Sequence, residues 1–227
     1  MKRIGVIGTI GVGKSTFLER LSESLMKNGM NTITFGEPSI IHGNLNEILR
    51  KFYMDVDRWS YPLQAGISAA HDAIYTEIKE LEDKDSAYDA ALVDAPFSSY
   101  IYCNIHTKAG RITESERVAI DNLSRPFHFD YIILLEETAD ETIERIMKRS
   151  RGTELTDLSY MYEHIADFKK FRPGYLEKYF QGSHFIHFEG MPDIESDLYI
   201  ETIEAITNTI LLDEGKIYSG ENIKRKD

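Results

Sequence analysis

Residues 3–16, RIGVIGTIGVGKST, join a short apolar run to a glycine-rich turn and then to the start of a helical pattern. No other stretch narrows the fold as much. Gly8, four residues, then Gly13-Lys14-Ser15 is the full phosphate-loop spacing. Glycines let the backbone fold tightly and aim its N–H groups at phosphate oxygens, and the following helix adds its positive N-terminal end. The expected phosphate cradle is therefore Gly8, Thr9, Ile10, Gly11, Val12, Gly13, Lys14, Ser15 and Thr16. Lys14 is expected at the β- and γ-phosphates, and the Ser15 hydroxyl at Mg²⁺.

Such a loop sits between a buried strand and a helix, and the rest of the chain repeats that alternation. Apolar runs at 3–8, 31–35, 89–95, 129–135 and 184–189 read as strands. Helical spacing runs from Lys14 to a C-cap at Gly29, and again over 44–54, 60–82, 113–123, 139–150, 158–180 and 194–212. DVDRWS (55–60) reads as a break between two helices, and Pro173-Gly174 as a kink in another. The expected fold is α/β: a five-stranded parallel sheet with helices on both faces, three layers in all. One domain over 1–215 and a polar tail over 216–227 account for the 227 residues. Ligands of such sheets gather at the carboxyl ends of the strands, where Gly8, Glu37, Asp94 and Glu136 fall.

Composition removes several function classes. A formal charge of −12 opposes binding to a phosphate backbone, so nucleic acid is an unexpected partner. The single cysteine, Cys103, permits neither an internal disulfide nor a Cys-rich zinc site, and a small buried hydrophobe is its ordinary role. No run approaches the ~20 apolar residues of a membrane span. The expectation is a cytoplasmic protein with no membrane partner. HTKAG (106–110) lacks the aspartate of a guanine-reading motif, so ATP is the simpler phosphate donor.

An acceptor site belongs on the same rim. Pro38 stiffens the turn after the second strand and biases Glu37 to an extended backbone, from which a carboxylate can take the proton of an attacking hydroxyl. Gln64, in YMDVDRWSYPLQ (53–64), carries a donor and an acceptor on one amide, which suits the edge of a base. A helical glutamine alone is more often solvated.

Taken in order, GTIGVGKST, GEP (36–38), DRWSYPLQ (57–64) and RIMKRSRGTE (145–154) resemble the deoxyribonucleoside kinase family over nearly the whole chain. The last segment looks like its arginine-rich lid, about 149–157. The resemblance implies Glu37 as general base on a sugar 5′-hydroxyl and Gln64 as base reader. It further implies Tyr53 and Glu154 at the sugar 3′-hydroxyl, and Arg149 and Arg151 closing over the donor phosphates. A homodimer is implied as well.

Three departures go with the resemblance. The family's carboxylate-Arg-Ser motif is here Asp94-Ala95-Pro96, which keeps a ligand for Mg²⁺ and loses the arginine. His71 and Tyr100 stand where some members carry an arginine–aspartate pair for amino-bearing bases, and His42 where they carry a tryptophan. His71 and Tyr100 are accordingly the expected specificity positions, with Tyr100 or Tyr102 able to stack on a base. The altered motif leaves two further readings open: a kinase for a nucleoside monophosphate or a hydroxymethylated base, and a nucleotide-binding module without catalysis.

Overall fold

The computed structural model describes residues 1–38, 43–149 and 158–212. Five strands form one sheet: β1 (Lys2–Ile7), β2 (Thr32–Phe35), β3 (Ala90–Asp94), β4 (Tyr131–Glu136) and β5 (His184–Glu189). Their order is β2-β3-β1-β4-β5, and every pairing is parallel. From β1 the chain crosses to the β2 edge, comes back to place β3 beside β1, and then passes to the other side, where β4 and β5 build outward. The carboxyl end of β1 thus lies where the connections diverge, the usual crevice for ligands.

Side-chain alternation explains why both faces are covered. Leu92, Ile133 and Leu135 join the core beneath α1 (Lys14–Lys27), while Ala91, Val93, Ile132 and Leu134 join the core on the opposite face. The connecting and flanking helices are α2 (Gly43–Met54), α3 (Val56–Asp83), α4 (Ser98–Lys108), α5 (Glu114–Leu123), α6 (Ala139–Arg149), α7 (Leu158–Tyr179) and α8 (Asp197–Leu211). α1 and α8 share one core, through Phe17, Leu21, Ile203 and Ile210. Ile78, Ile101 and Phe168 bring α3, α4 and α7 to the other. None of the described helices is long and apolar enough to cross a membrane.

The expected sheet and layers are present, with three local differences. Gly29 lies one residue beyond the cap of α1, at φ +84°. Its N–H donates to Met26 and that of Met30 to Leu25, which closes the last turn. DVDRWS does not form a break: only Asp55 stands outside the helices, and its carboxylate caps α3 by accepting the Arg58 N–H at 3.1 Å. The third difference is α4, which no periodic signal marks. Ile101, Cys103 and Ile105 are buried on different sides of it, so its apolar residues form no single stripe. Proline 173 lies inside α7, which runs on through Gly174.

Candidate active site

The phosphate loop follows β1 in the geometry its glycines permit. Gly11 and Gly13 have φ of +80° and +103°, where side chains with a Cβ are strained. A Cβ on Gly11 would also lie 2.4 Å from Ile146, whereas at Gly13 it would meet nothing within 4 Å. The loop is thus packed from behind and open in front. Lys14 begins α1, is buried, and donates from Nζ to the Thr9 carbonyl at 3.1 Å. Ser15 Oγ donates to Asp94 Oδ2 at 3.0 Å. Asp94 is wholly buried and pairs in register with Val6 of β1, which places its carboxylate beside the loop.

A hydroxyl and one carboxylate make an oxygen-only pair, as Mg²⁺ requires when phosphates and water complete its shell. Among the described residues no group of three or more His, Cys, Asp or Glu could hold a metal by itself. The donor set therefore fits a magnesium ion brought with a nucleotide.

After Asp94 the chain makes a strained turn. Ala95 and Phe97 have φ of +48° and +56°, uncommon for residues with a Cβ. The Ala95 N–H donates to Val6 O at 2.9 Å, and the Phe97 N–H to the Tyr75 hydroxyl at 3.0 Å. The Tyr175 hydroxyl donates to the Pro96 carbonyl. Pro96 packs so closely that a Cβ on Gly5 would lie 2.8 Å from its Cγ. In this chain Asp94-Ala95-Pro96 supplies one carboxylate and a clamped backbone, with no cation.

A cavity of about 300 Å³ opens from the loop. Lys14, Ser15 and Arg145 line it together with Glu37, Tyr53 and Gln64. Leu49, Phe52, Leu63 and Ile67 make its walls apolar. From α4 come Ser98, Tyr102 and His106, each four residues after the last and hence on one helical face. Gln64 lines the cavity, is 3% exposed, and its Oε1 has no hydrogen-bond partner among the described residues. An unpaired buried amide oxygen in a cavity wall is a group that a polar ligand can satisfy.

Two expected specificity residues lie off the wall. Tyr100 is two residues from Tyr102, about 200° around the helix. Its ring instead neighbours Tyr175 at 6.4 Å, with the Lys178 ammonium 4.5 Å from its centroid. His71 lies two helical turns beyond Gln64, is 2% exposed, and is parallel to Tyr75 at 5.9 Å. Burial pushes its pKa down to about 4. Arg151, Glu154, His42, the Arg149 side chain and the tail fall outside the described residues.

The structure also brings in residues that the sequence reading did not single out. Arg145, inside the arginine-rich segment, donates to the carbonyls of Val12 at 3.2 Å and Met191 at 3.0 Å, and to Glu137 at 3.2 Å. It thereby ties α6 to the phosphate loop. Its spacing of four from Arg149 is the signal that marks it. His106 and His164 also face the cavity, and no motif points to either.

Comparison with known proteins agrees with this architecture. The family model described as deoxynucleoside kinase matches residues 4–178. The deoxyadenosine/deoxycytidine kinase of Bacillus subtilis (strain 168) is 28% identical over 182 residues, 76% of this chain and 77% of that protein. The mitochondrial deoxyguanosine kinase of Xenopus laevis is 26% identical over 188 residues, 71% of this chain and 69% of that one. The fold is similar to that of deoxyadenosine kinase from M. mycoides with products dCMP and a flexible dCDP bound. There the TM-score is 0.69 at 20% identity, covering 92% of this chain and 99% of the other.

Proposed function

The chain belongs to the deoxynucleoside kinase family, and from that premise we propose that it transfers the γ-phosphoryl group of ATP to the 5′-hydroxyl of a nucleoside. One observation carries the reading: Lys14, Ser15, Glu37, Tyr53 and Gln64 line a single cavity. They come from the phosphate loop, the turn after β2, α2 and α3, and no local packing need brings those types together.

Glu37 takes the proton of the 5′-hydroxyl as its oxygen bonds to the γ-phosphorus, and the bond from that phosphorus to the bridging oxygen of ADP breaks. Lys14 leaves the Thr9 carbonyl for the phosphate oxygens, and Arg145 stands beside it. Arg149 and Arg151 add charge from the lid, where Glu154 joins Tyr53 at the sugar 3′-hydroxyl. Ser15 and Asp94 would hold Mg²⁺, and the bound ion would supply positive charge against the donor phosphates. Gln64 reads the base. Residues 1–215 act as one domain followed by a tail, and the enzyme works as a cytoplasmic homodimer.

The test incubates purified protein with ATP, Mg²⁺ and a panel of nucleosides, nucleoside monophosphates and hydroxymethylated DNA. The expected product is a nucleoside 5′-monophosphate. Conversion of the other acceptors alone, or of none, defeats the reading.

A further inference from the structure

Glu137, the residue after β4, carries a buried carboxyl group that the reaction described does not use. Leu135 faces the α1 side of the sheet and Glu136 pairs with Arg172 of α7 on the other, so Glu137 turns back to the α1 side. Its side chain is 2% exposed. Oε1 accepts the Thr138 N–H at 2.9 Å, and Oε2 accepts the Met191 N–H at 2.9 Å and Nη2 of Arg145 at 3.2 Å. Arg145 also donates to the carbonyls of Val12 and Met191. One carboxylate thus fixes one guanidinium between the phosphate loop and the turn after β5.

Two features set this pair apart from a packing contact. The desolvation of a buried ion pair offsets most of its attraction, and apolar residues of similar size would hold α6 as firmly. Stability alone therefore does not account for the charges. The second feature is spare capacity. A guanidinium has five N–H donors in a rigid fork. The Nε–H and the second Nη1–H of Arg145 have no acceptor among the described residues, and its side chain is 35% exposed where it lines the cavity. Lys14 and Arg145 are the cations among the described residues that line that cavity, since Ala95 brings none. A cation already fixed in place needs little reorganisation when charge develops on a neighbouring phosphate.

The next step rests on the reading above, in which ATP lies on the phosphate loop. We propose that Glu137 is a positioning residue for phosphoryl transfer, which holds Arg145 as a second fixed cation at the donor phosphates beside Lys14. Charge that spreads over the transferring phosphoryl oxygens then meets both. Burial and Glu141 raise the Glu137 pKa, while the Thr138 N–H and Arg145 oppose them. With three N–H groups donating to its two oxygens, the group acts as an acceptor-only carboxylate. An amide has one acceptor oxygen, so Glu137→Gln must give up part of that hold.

The test is a double-mutant cycle in kcat with wild type, Glu137→Gln, Arg145→Met and the double variant, and KM is measured separately for ATP and for the nucleoside. Each rate is divided by the folded fraction from near-ultraviolet circular dichroism, so a loss of folded protein cancels. Arg145→Lys, which keeps a charge opposite Glu137, takes the place of Arg145→Met in the cycle if the latter does not fold. The expected kcat falls about tenfold in Glu137→Gln and about 10²-fold in Arg145→Met, with KM for the nucleoside unchanged. The double variant is expected to fall no further than the arginine variant, because the carboxylate acts through the guanidinium. Losses that multiply in the double variant show that Glu137 acts by another route, and they overturn the proposal. So does a wild-type kcat in either single variant. In both cases a wild type that phosphorylates nucleosides leaves the kinase reading standing. A wild type that converts no nucleoside brings down both.

Discussion

At the scale of single residues, Lys14 and Glu37 line one cleft, the first from the phosphate loop and the second from the turn after β2. Lys14 is fixed at the first position of α1, and its ammonium is parked 3.1 Å from the Thr9 carbonyl, inside the loop it serves. It needs only a rotamer change to meet a phosphate. Lys14→Ala is expected to lower kcat by roughly 10²–10³ and to leave the binding of a nucleoside alone almost unchanged. Glu37→Gln keeps shape and removes the base, so kcat falls by roughly 10²–10⁴ while both substrates still bind. Single-turnover rates and equilibrium dialysis separate these effects. A Gln variant with wild-type kcat would show that another group takes the proton. Lys14, Glu37, Tyr53 and Gln64 were legible because each sits at fixed spacing within a motif. His71 and Tyr100 were placed by spacing as well: Tyr100, two residues from Tyr102, is turned about 200° off the wall, whereas His71, seven residues from Gln64, keeps the same face of α3 and lies two turns farther along it, outside the cavity lining.

Among elements, the turn between β3 and α4 governs how Asp94 is aimed. Two non-glycine residues with positive φ flank Pro96, and such conformations persist only where the surroundings hold them. Tyr75 from α3 and Tyr175 from α7 do so through one backbone bond each. Both tyrosines are buried, so Tyr75→Phe or Tyr175→Phe leaves a backbone group unpaired inside the protein. Each is expected to cost about 1–3 kcal/mol of stability. The urea midpoint should drop, and kcat/KM per folded molecule should drop with it as Ser15 and Asp94 lose register. Midpoints equal to that of the wild type would mean that the clamp is ornamental. The strands on either side were readable from short continuous apolar runs, the pattern of strands buried on both faces. α4 was not, because a helix buried on several sides has no polar face to set its period, and its Tyr, Ile and Cys residues are weak helix formers.

The whole molecule has an asymmetry between its two faces. The α1/α8 side buries hydrophobic residues with a few hydroxyls, Ser22, Thr202 and Thr207, whereas the α3/α4/α7 side encloses the cavity and three buried histidines. Burial lowers His71 to about 4, His106 to about 3 and His164 to about 4. In the unfolded chain each titrates near 6.5. Above that pH both states are neutral at these sites, and no linkage arises. Between about 6.5 and about 4 the unfolded chain binds protons that the folded chain refuses, so stability falls with falling pH. Three such groups give a slope approaching roughly 4 kcal/mol per pH unit near pH 5, large against a usual total of about 5–15 kcal/mol. Burial raises the Glu137 carboxyl, which works in the opposite direction with at most one proton. The ligand-free protein should therefore hold a steady urea midpoint from pH 8 to about 7 and lose it steeply toward pH 5. His71→Gln, outside the cavity wall, should remove about a third of that slope. A midpoint that stays level down to pH 5 would show that the rings are charged or hydrated in the folded state.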